Sequence, residues 1–204
     1  MTEDFWFFER DAQARGMRYV AGIDEAGRGP LAGPVVAAAV VLPSSFPVPD
    51  IADSKTLTPN KRSRLYDEIY RHAVTVGIGV VDAVEIDRIN ILQAALLAMV
   101  FSVENLRPSP GCLLIDGNKP IPTELPQQVI PKGDSRSISI AAASIVAKVT
   151  RDRLMTLYDE EYPQFGFRRH KGYPTRDHKA AIQKYGSCPI HRKTFRGARE
   201  FVAK

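Results

Sequence analysis

Two cysteines in 204 residues, Cys112 and Cys188, are too few and too far apart for a disulfide framework. They stand in no zinc-type spacing with histidine, so a zinc ribbon or finger is excluded. Cys112 lies in an apolar run and is expected in the core, in a chain kept in a reducing compartment. No apolar run reaches the roughly 20 residues of a membrane span. Asp87 and Arg88 flank the longest stretch, and Glu104 lies near its end. The N-terminus, with Glu3, Asp4, Phe5 and Trp6, has no basic segment of the secretory kind. A cytoplasmic chain without membrane contact is therefore expected, and a monomer. Internal repeats, low-complexity tracts and a dividing linker are also lacking, which leaves one domain over residues 1–204.

Charge of one sign is scarce in the body and abundant in the tail. Residues 1–147 carry 14 Lys/Arg against 17 Asp/Glu, a net of −3, and residues 148–204 carry 14 against 6, a net of +8. A basic tail on a near-neutral body points to a polyanion, usually nucleic acid. The part from about 165 to 204 is read as a basic, helical, substrate-binding region.

What is present centres on the run from Tyr19 to Val36. An apolar segment ends in Asp24 and Glu25, a loop with Gly27, Arg28, Gly29 and Gly33 follows, and a second apolar run returns from Val35 to Leu42. Paired carboxylates in apolar surroundings must be neutralised, protonated or bound to metal, or else form a solvated hairpin tip. The glycines allow close backbone approach, and Arg28 offers a planar donor fork suited to phosphate.

In chain order, 3–15 is predicted as a helix stopped by Gly16, and Tyr19–Asp24 and Val35–Leu42 as strands. Residues 43–52 read as loop, and Thr58-Pro59 as the cap of a helix with Leu65, Ile69 and Ala73 inside. Thr75–Val81 is a third strand. Asp82 with Glu85 resembles a capping box that opens a helix over about 85–106. Its stripe of Ile86, Ile89, Leu92, Leu96, Met99, Val100 and Val103 is read as core. Cys112–Asp116 is a short buried strand and Gln127–Pro131 a weaker one. Ser137 or Ser139 opens an alanine-rich helix to about Tyr158, and a last helix runs from Thr175 to Gly186. The order predicts an α/β fold, a mixed sheet flanked by helices with a small helical C-terminal region.

Four acids, Asp24, Glu25, Asp116 and Asp134, each follow an apolar segment and stand next to glycine or a turn. Clustered, they would repel unless divalent cations held them, and an all-oxygen donor set favours Mg²⁺ or Mn²⁺. Adjacent strand residues face opposite ways, so Asp24 and Glu25 can share a site only at a strand end or bulge.

The motifs Gly22-Ile-Asp-Glu-Ala-Gly-Arg-Gly-Pro-Leu-Ala-Gly-Pro, Asp53-Ser-Lys, Asp116-Gly, Lys132-Gly-Asp134, Ala142-Ala-Ser-Ile-Val-Ala-Lys148 and His170-Lys-Gly-Tyr173 together resemble the bacterial ribonuclease HII family, in family order over about 19–195. The resemblance implies a ribonuclease H-like fold. It implies metal-dependent cleavage of RNA in RNA–DNA hybrids and at the 5′ side of a single ribonucleotide in duplex DNA, leaving 5′-phosphate and 3′-hydroxyl ends. It puts the active-site acids at Asp24, Glu25, Asp116 and Asp134, the junction-reading loop at Gly27-Arg28-Gly29, and the sugar-packing tyrosine at Tyr173. Arg28 and Lys55 are expected to touch phosphate, and Lys148 is either a phosphate ligand or a snorkelling surface lysine. His170, His178 and His191 are expected in solvent or against phosphate. The run Arg168–Lys171 stands open between substrate and a partner such as a replication clamp. Two rivals remain. A nucleotide-binding loop has the wrong spacing, G-x-G-x-x-x-G, and two acids before it; a hybrid-binding module without catalysis would not need the acid set.

Overall fold

A computed structural model describes residues 4–47, 51 and 58–201. Its elements are α1 (Phe7–Ala14), β1 (Val20–Ala26), β2 (Val35–Val41), α2 (Pro59–His72), β3 (Thr75–Val81), α3 (Ala83–Ile89), α4 (Ile91–Glu104), β4 (Cys112–Asp116), β5 (Gln127–Ile130), α5 (Ile138–Glu161), α6 (Phe167–His170) and α7 (Arg176–Tyr185).

The strands form one sheet in the order β3-β2-β1-β4-β5. β3, β2 and β1 are antiparallel neighbours, whereas β4 lies parallel to β1 and β5 parallel to β4. The sheet is therefore mixed, as expected. The eight-residue glycine loop, 27–34, permits the antiparallel turn; a long connection that includes α2, α3 and α4 permits the parallel pair of β1 with β4, and the helix-free segment 117–126 permits that of β4 with β5. Every residue of β2 is buried, so it reads as a continuous apolar run rather than an alternating one. Val35, Ala37, Ala39 and Val41 face α4 with Ala21, Ile23, Leu113 and Ile115. Ala38 and Val40 face α5 and α2, against Ala142, Val146, Leu65 and Ile69. Among the described residues no helix is long and apolar enough to cross a membrane.

The helix expected over about 85–106 is two helices. Asn90 breaks it at φ 69°, and its side chain accepts from the N–H groups of Leu92 (3.0 Å) and Gln93 (3.2 Å), capping α4. At φ 69° and ψ 164° Asn90 lies outside the regions that non-glycine residues usually occupy, a strained conformation supported by the two cap hydrogen bonds of its own side chain. Asp82 does cap α3, accepting from Glu85 N–H at 2.8 Å, while the Glu85 carboxylate turns outward to Arg88. Ser137, not Ser139, caps α5, which extends to Glu161. Both serines bind Glu9, a buried acid of α1 that takes three donors from the start of α5. All three reach Oε1 and replace water there, whereas Oε2 is buried without a hydrogen-bond partner.

From α5 onward the chain folds back over the glycine loop. Leu31, Ala32, Met155, Phe165, Phe167, Ile182 and Cys188 form a separate apolar cluster that ties the C-terminal segment to that loop. Backbone bonds complete the seam: Leu31 N–H to Gly172 C=O (2.8 Å), Gly33 N–H to Ile190 C=O (2.9 Å) and Arg192 N–H to Leu31 C=O (2.8 Å).

Candidate active site

β1 and β4 run parallel at the centre of the sheet, and their ladder ends with Ile23 opposite Ile115. The next residues, Asp24 and Asp116, thus stand side by side where that ladder stops, Asp24 still paired with Ala38 of β2 and Asp116 with Ile130 of β5. Asp24 points to the α5 face, where Ser144 hydrogen-bonds it and Glu25 N–H donates to its Oδ1 at 2.7 Å. Glu25, one residue on, borders the cleft on the α4 face with Leu92, Ala95, Met99 and Asp116. The expected strand end or bulge is not found in β1: both acids lie within the strand, paired with Ala38 and Ala37, and flank the site from opposite faces beside the point where β4 ends at Asp116. Asp134 lies buried in a 3₁₀ turn, Gly133–Ser135, after β5. Asp116 Oδ1 accepts from Gly133 N–H at 2.6 Å, which ties the two acidic segments together.

Electrostatics give the cluster its character. Burial, then the charges of Glu25 and Asp116, push the Asp24 carboxyl well above the ordinary carboxylate range. Glu25 is raised mainly by burial, with Arg28 opposing and Asp116 adding to the shift. Asp116 is raised by burial and by Asp134, against the Gly133 hydrogen bond. Among the described residues no three Asp, Glu, His or Cys side chains are gathered tightly enough to hold an ion as they stand. The donor set nevertheless fits a hard divalent cation. It is all oxygen, partly buried, and its members raise one another's proton affinity, which a cation in their midst would reverse.

A stability test follows. A carboxyl with a raised folded-state pKa destabilises the fold as pH rises above the ordinary carboxylate range and the group is forced to ionise. Asp24→Asn removes that burden. The metal-free variant is expected to melt higher than the parent at pH 7.5, by a few degrees, the shift that about 1 kcal/mol produces at this size. The gap should close as pH falls towards the ordinary range. Thermal unfolding in EDTA across pH measures it, and a lower melting temperature for the variant throughout contradicts the repulsion described here.

Beside the acids runs a groove of about 380 Å³, lined by Glu25, Gly27, Arg28, Gly29, Arg62, Asp134, Ser144, Lys148 and Tyr173. Most residues singled out in the sequence therefore meet at one place. Tyr173 is exposed and faces Gly29, where an added Cβ would lie 3.6 Å from the ring Cε1. Arg28 pairs with Glu25 Oε1 at 3.1 Å; the glutamate is largely enclosed, but the guanidinium is half exposed and within reach of a phosphate in the groove. Lys148 lines the groove and also pairs with Asp152 one turn on, at 2.7 Å. Lys55 lies outside the described residues.

Two arginines beneath the glycine loop were not picked out by sequence reasoning. Arg192, fully buried, donates to the carbonyls of Gly27 (2.6 Å), Arg28 (3.0 Å), Pro30 (2.9 Å) and Gly33 (2.9 and 3.0 Å). Arg151 donates to Pro34 (2.9 Å), Ala32 (3.1 Å) and Lys171 (3.0 Å). Each such charge-assisted bond is worth about 1.5–3 kcal/mol, so the loop is held as a rigid body. Burial, then Arg151, lowers the Arg192 pKa to about 9, which leaves it charged at neutral pH. Gly27, at φ +101°, must be glycine: a Cβ there would sit 2.1 Å from Arg151 Nε.

The histidines correct the expectation of solvent or phosphate. His178 and His191 are 0% and 1% exposed and joined Nε2 to Nε2 at 3.1 Å. Cys188 N–H donates to His191 Nδ1 (2.9 Å), and His178 Nδ1 meets Tyr173 C=O (2.9 Å). That network sets both tautomers: His191 carries its proton on Nε2, and His178 on Nδ1. Burial lowers both to about 4, so they are neutral at physiological pH.

Among solved structures, the ribonuclease H2 from Pyrococcus horikoshii matches with a TM-score of 0.75 at 30% identity, over 89% of this chain and 96% of that one. The ribonuclease HII of Archaeoglobus fulgidus, solved as a complex with PCNA, matches at 0.76 and 25%, over 88% and 96%. The fold is ribonuclease H-like, and the protein is a nuclease of the hydrolase class. The family model described as Ribonuclease HII matches residues 21–198. A Ribonuclease HII of Geobacter sulfurreducens is 58% identical over 199 residues, 98% of this chain and 92% of the relative. The chain belongs to the ribonuclease HII family, divalent-metal-dependent enzymes with ribonuclease H activity on RNA–DNA hybrids.

Proposed function

We propose that the chain cuts duplex DNA on the 5′ side of a single embedded ribonucleotide as well as RNA within hybrids, leaving 5′-phosphate and 3′-hydroxyl ends. The observation that carries this reading is the narrow space between Gly29 and Tyr173, opening on the same groove as Glu25 and Asp134. Distinguishing RNA from DNA at one position requires a contact to the 2′-OH, which backbone at a glycine can make at close range. The Tyr173 ring packs on the following sugar and leaves no room for a hydroxyl there.

Asp24, Glu25, Asp116 and Asp134 hold Mg²⁺ or Mn²⁺ in this reading. Bound there, a divalent cation supplies Lewis-acid neutralisation of the phosphodiester charge. The acids set the position of the scissile phosphate, and Arg28, Lys55 and Lys148 hold flanking phosphates. Water adds to phosphorus, and the 3′-oxygen of the upstream nucleotide departs as a hydroxyl. The basic C-terminal region, about 165–204, holds the duplex further out; it includes the arginines Arg168 and Arg169. The chain acts as a cytoplasmic monomer. A clamp contact is carried over from the A. fulgidus complex alone. Co-elution with a sliding clamp tests it.

The decisive experiment is cleavage of end-labelled duplex DNA carrying one ribonucleotide, with Mg²⁺, Mn²⁺ or EDTA. A metal-dependent cut that leaves the ribonucleotide at the 5′ end of the downstream fragment supports the proposal. Cleavage confined to longer hybrids overturns the junction reading. Tyr173→Ala is expected to lose about tenfold more activity on the single-ribonucleotide duplex than on a uniform hybrid, a difference of about 1.4 kcal/mol in transition-state binding. Equal losses would remove the tyrosine from recognition.

A further inference from the structure

Two adjacent residues near the C-terminus each hold one wall of the space between Gly29 and Tyr173. Arg192 grips the carbonyls of Gly27 and Arg28, and His191 acts through His178 on the carbonyl of Tyr173. We infer that His191 and Arg192 are the positioning pair that sets this gap, and with it the selectivity for an RNA-to-DNA step; the inference rests on the junction-reading role proposed above.

The stereochemistry of the loop supports it. In a trans peptide the C=O and the following N–H point in opposite directions. With the carbonyls of Gly27 and Arg28 drawn down onto the Arg192 guanidinium, the N–H groups of Arg28 and Gly29 are turned to the opposite side, towards the groove. They become fixed donors where a 2′-OH can accept. On the other wall, Cys188 N–H fixes the His191 tautomer, His191 donates to His178, and His178 donates to Tyr173 C=O. The backbone of Tyr173 is thereby anchored at the end of a buried chain of hydrogen bonds. Because the two anchors are consecutive residues, the walls cannot drift apart without breaking the segment that carries both. A second observation agrees: Arg192 N–H and Gly172 C=O both bond Leu31, so the loop and the tyrosine segment share one strap.

Arg192→Lys and His178→Leu separate the two walls experimentally. Lysine keeps the charge but cannot fork across several carbonyls. Leucine fills the buried site but removes the side-chain donor to Tyr173 C=O, leaving only Thr175 N–H on it (2.8 Å). His178→Asn is the conservative partner, its amide NH₂ standing where Nδ1–H stood. kcat/KM is measured for each on a single-ribonucleotide duplex and on a uniform RNA–DNA hybrid. Arg192→Lys and His178→Leu are expected to lose about tenfold to 10²-fold more on the first substrate than on the second, the scale of an ångström-sized misplacement. His178→Asn should regain most of that preference. Equal losses on both substrates, as general loosening would produce, overturn the inference, and so does an unchanged preference. If Arg192→Lys does not fold, the comparison of leucine with asparagine at 178 still decides. Parent enzyme without activity on the single-ribonucleotide duplex overturns the junction reading itself, and this shows before any variant is made.

Discussion

Asp116→Asn is expected to abolish cleavage of both substrates, by about 10³-fold or more, while binding of the uncut hybrid is kept or strengthened. Asp116 stands where the parallel ladder of β1 and β4 stops, beside Asp24 and tied to the segment of Asp134 through Gly133. It is one of the charges that raise both Asp24 and Glu25. Asparagine preserves the shape and can still accept from Gly133 N–H, but it brings no negative charge to a cation. A cation's stabilisation of a charged transition state amounts to several kcal/mol, and each 1.36 kcal/mol is tenfold in rate. Binding moves the other way, because an acid facing a polyanion repels it. Single-turnover cleavage and filter binding in Ca²⁺ or EDTA separate the two effects. Undiminished turnover would remove Asp116 from the site, and a parallel fall in binding would make its role structural.

Much of this site was legible in the sequence, for identifiable reasons. Asp24 and Asp116 follow short runs of buried, β-rich residues, where a charged group stands out; Asp116 does end β4, whereas β1 runs on to Ala26. The glycine loop showed itself through composition. What stayed hidden is chiefly what buries a charge against backbone. Arg151 and Arg192 bind carbonyls, which every residue has and no residue type reveals, so composition counted them with the basic tail expected to meet a polyanion. Arg151 did leave a trace: it falls in step with Ala143, Ala147 and Met155 on the buried face of α5, where an exposed arginine has no place. His178 and His191 left none, since their partners are each other, two backbone groups and the thiol of Cys188. Glu9 was hidden likewise, its donors lying some 130 residues away on Ser137 and Ser139. Asn90 is a different case. Helical periodicity counts residues and is blind to one residue at positive φ that keeps the count, so two helices read as one.

Gly22→Ala should be the most disruptive single methyl that can be added near the site. Gly22 sits in β1 two residues before Asp24, on the same face, with the first turn of α5 against it. A Cβ there would lie 2.1 Å from Ser139 C, 2.3 Å from Ile140 N and 2.5 Å from Ser139 O. These are backbone atoms in a helix start that Ser137 caps and Glu9 clamps, so no rotamer relieves the clash. The helix must move off the sheet. Overpacking of this kind costs about 3 kcal/mol or more, which at this size lowers the melting temperature by roughly 6–12 °C. The damage cannot stay local, because α5 also carries Ser144 against Asp24, Lys148 in the groove and Arg151 under the glycine loop. A displacement of about 1 Å between helix and strand is expected to cost about 10²-fold in cleavage of hybrid and single-ribonucleotide duplex alike. Gly117→Ala provides the contrast. Gly117 has φ +102° but nothing within 4 Å of an added Cβ, so it tests backbone strain without a clash. Denaturant unfolding of the two variants distinguishes the causes. If Gly22→Ala falls no further than Gly117→Ala, the close seat of α5 on β1 is not what holds Asp24 in place.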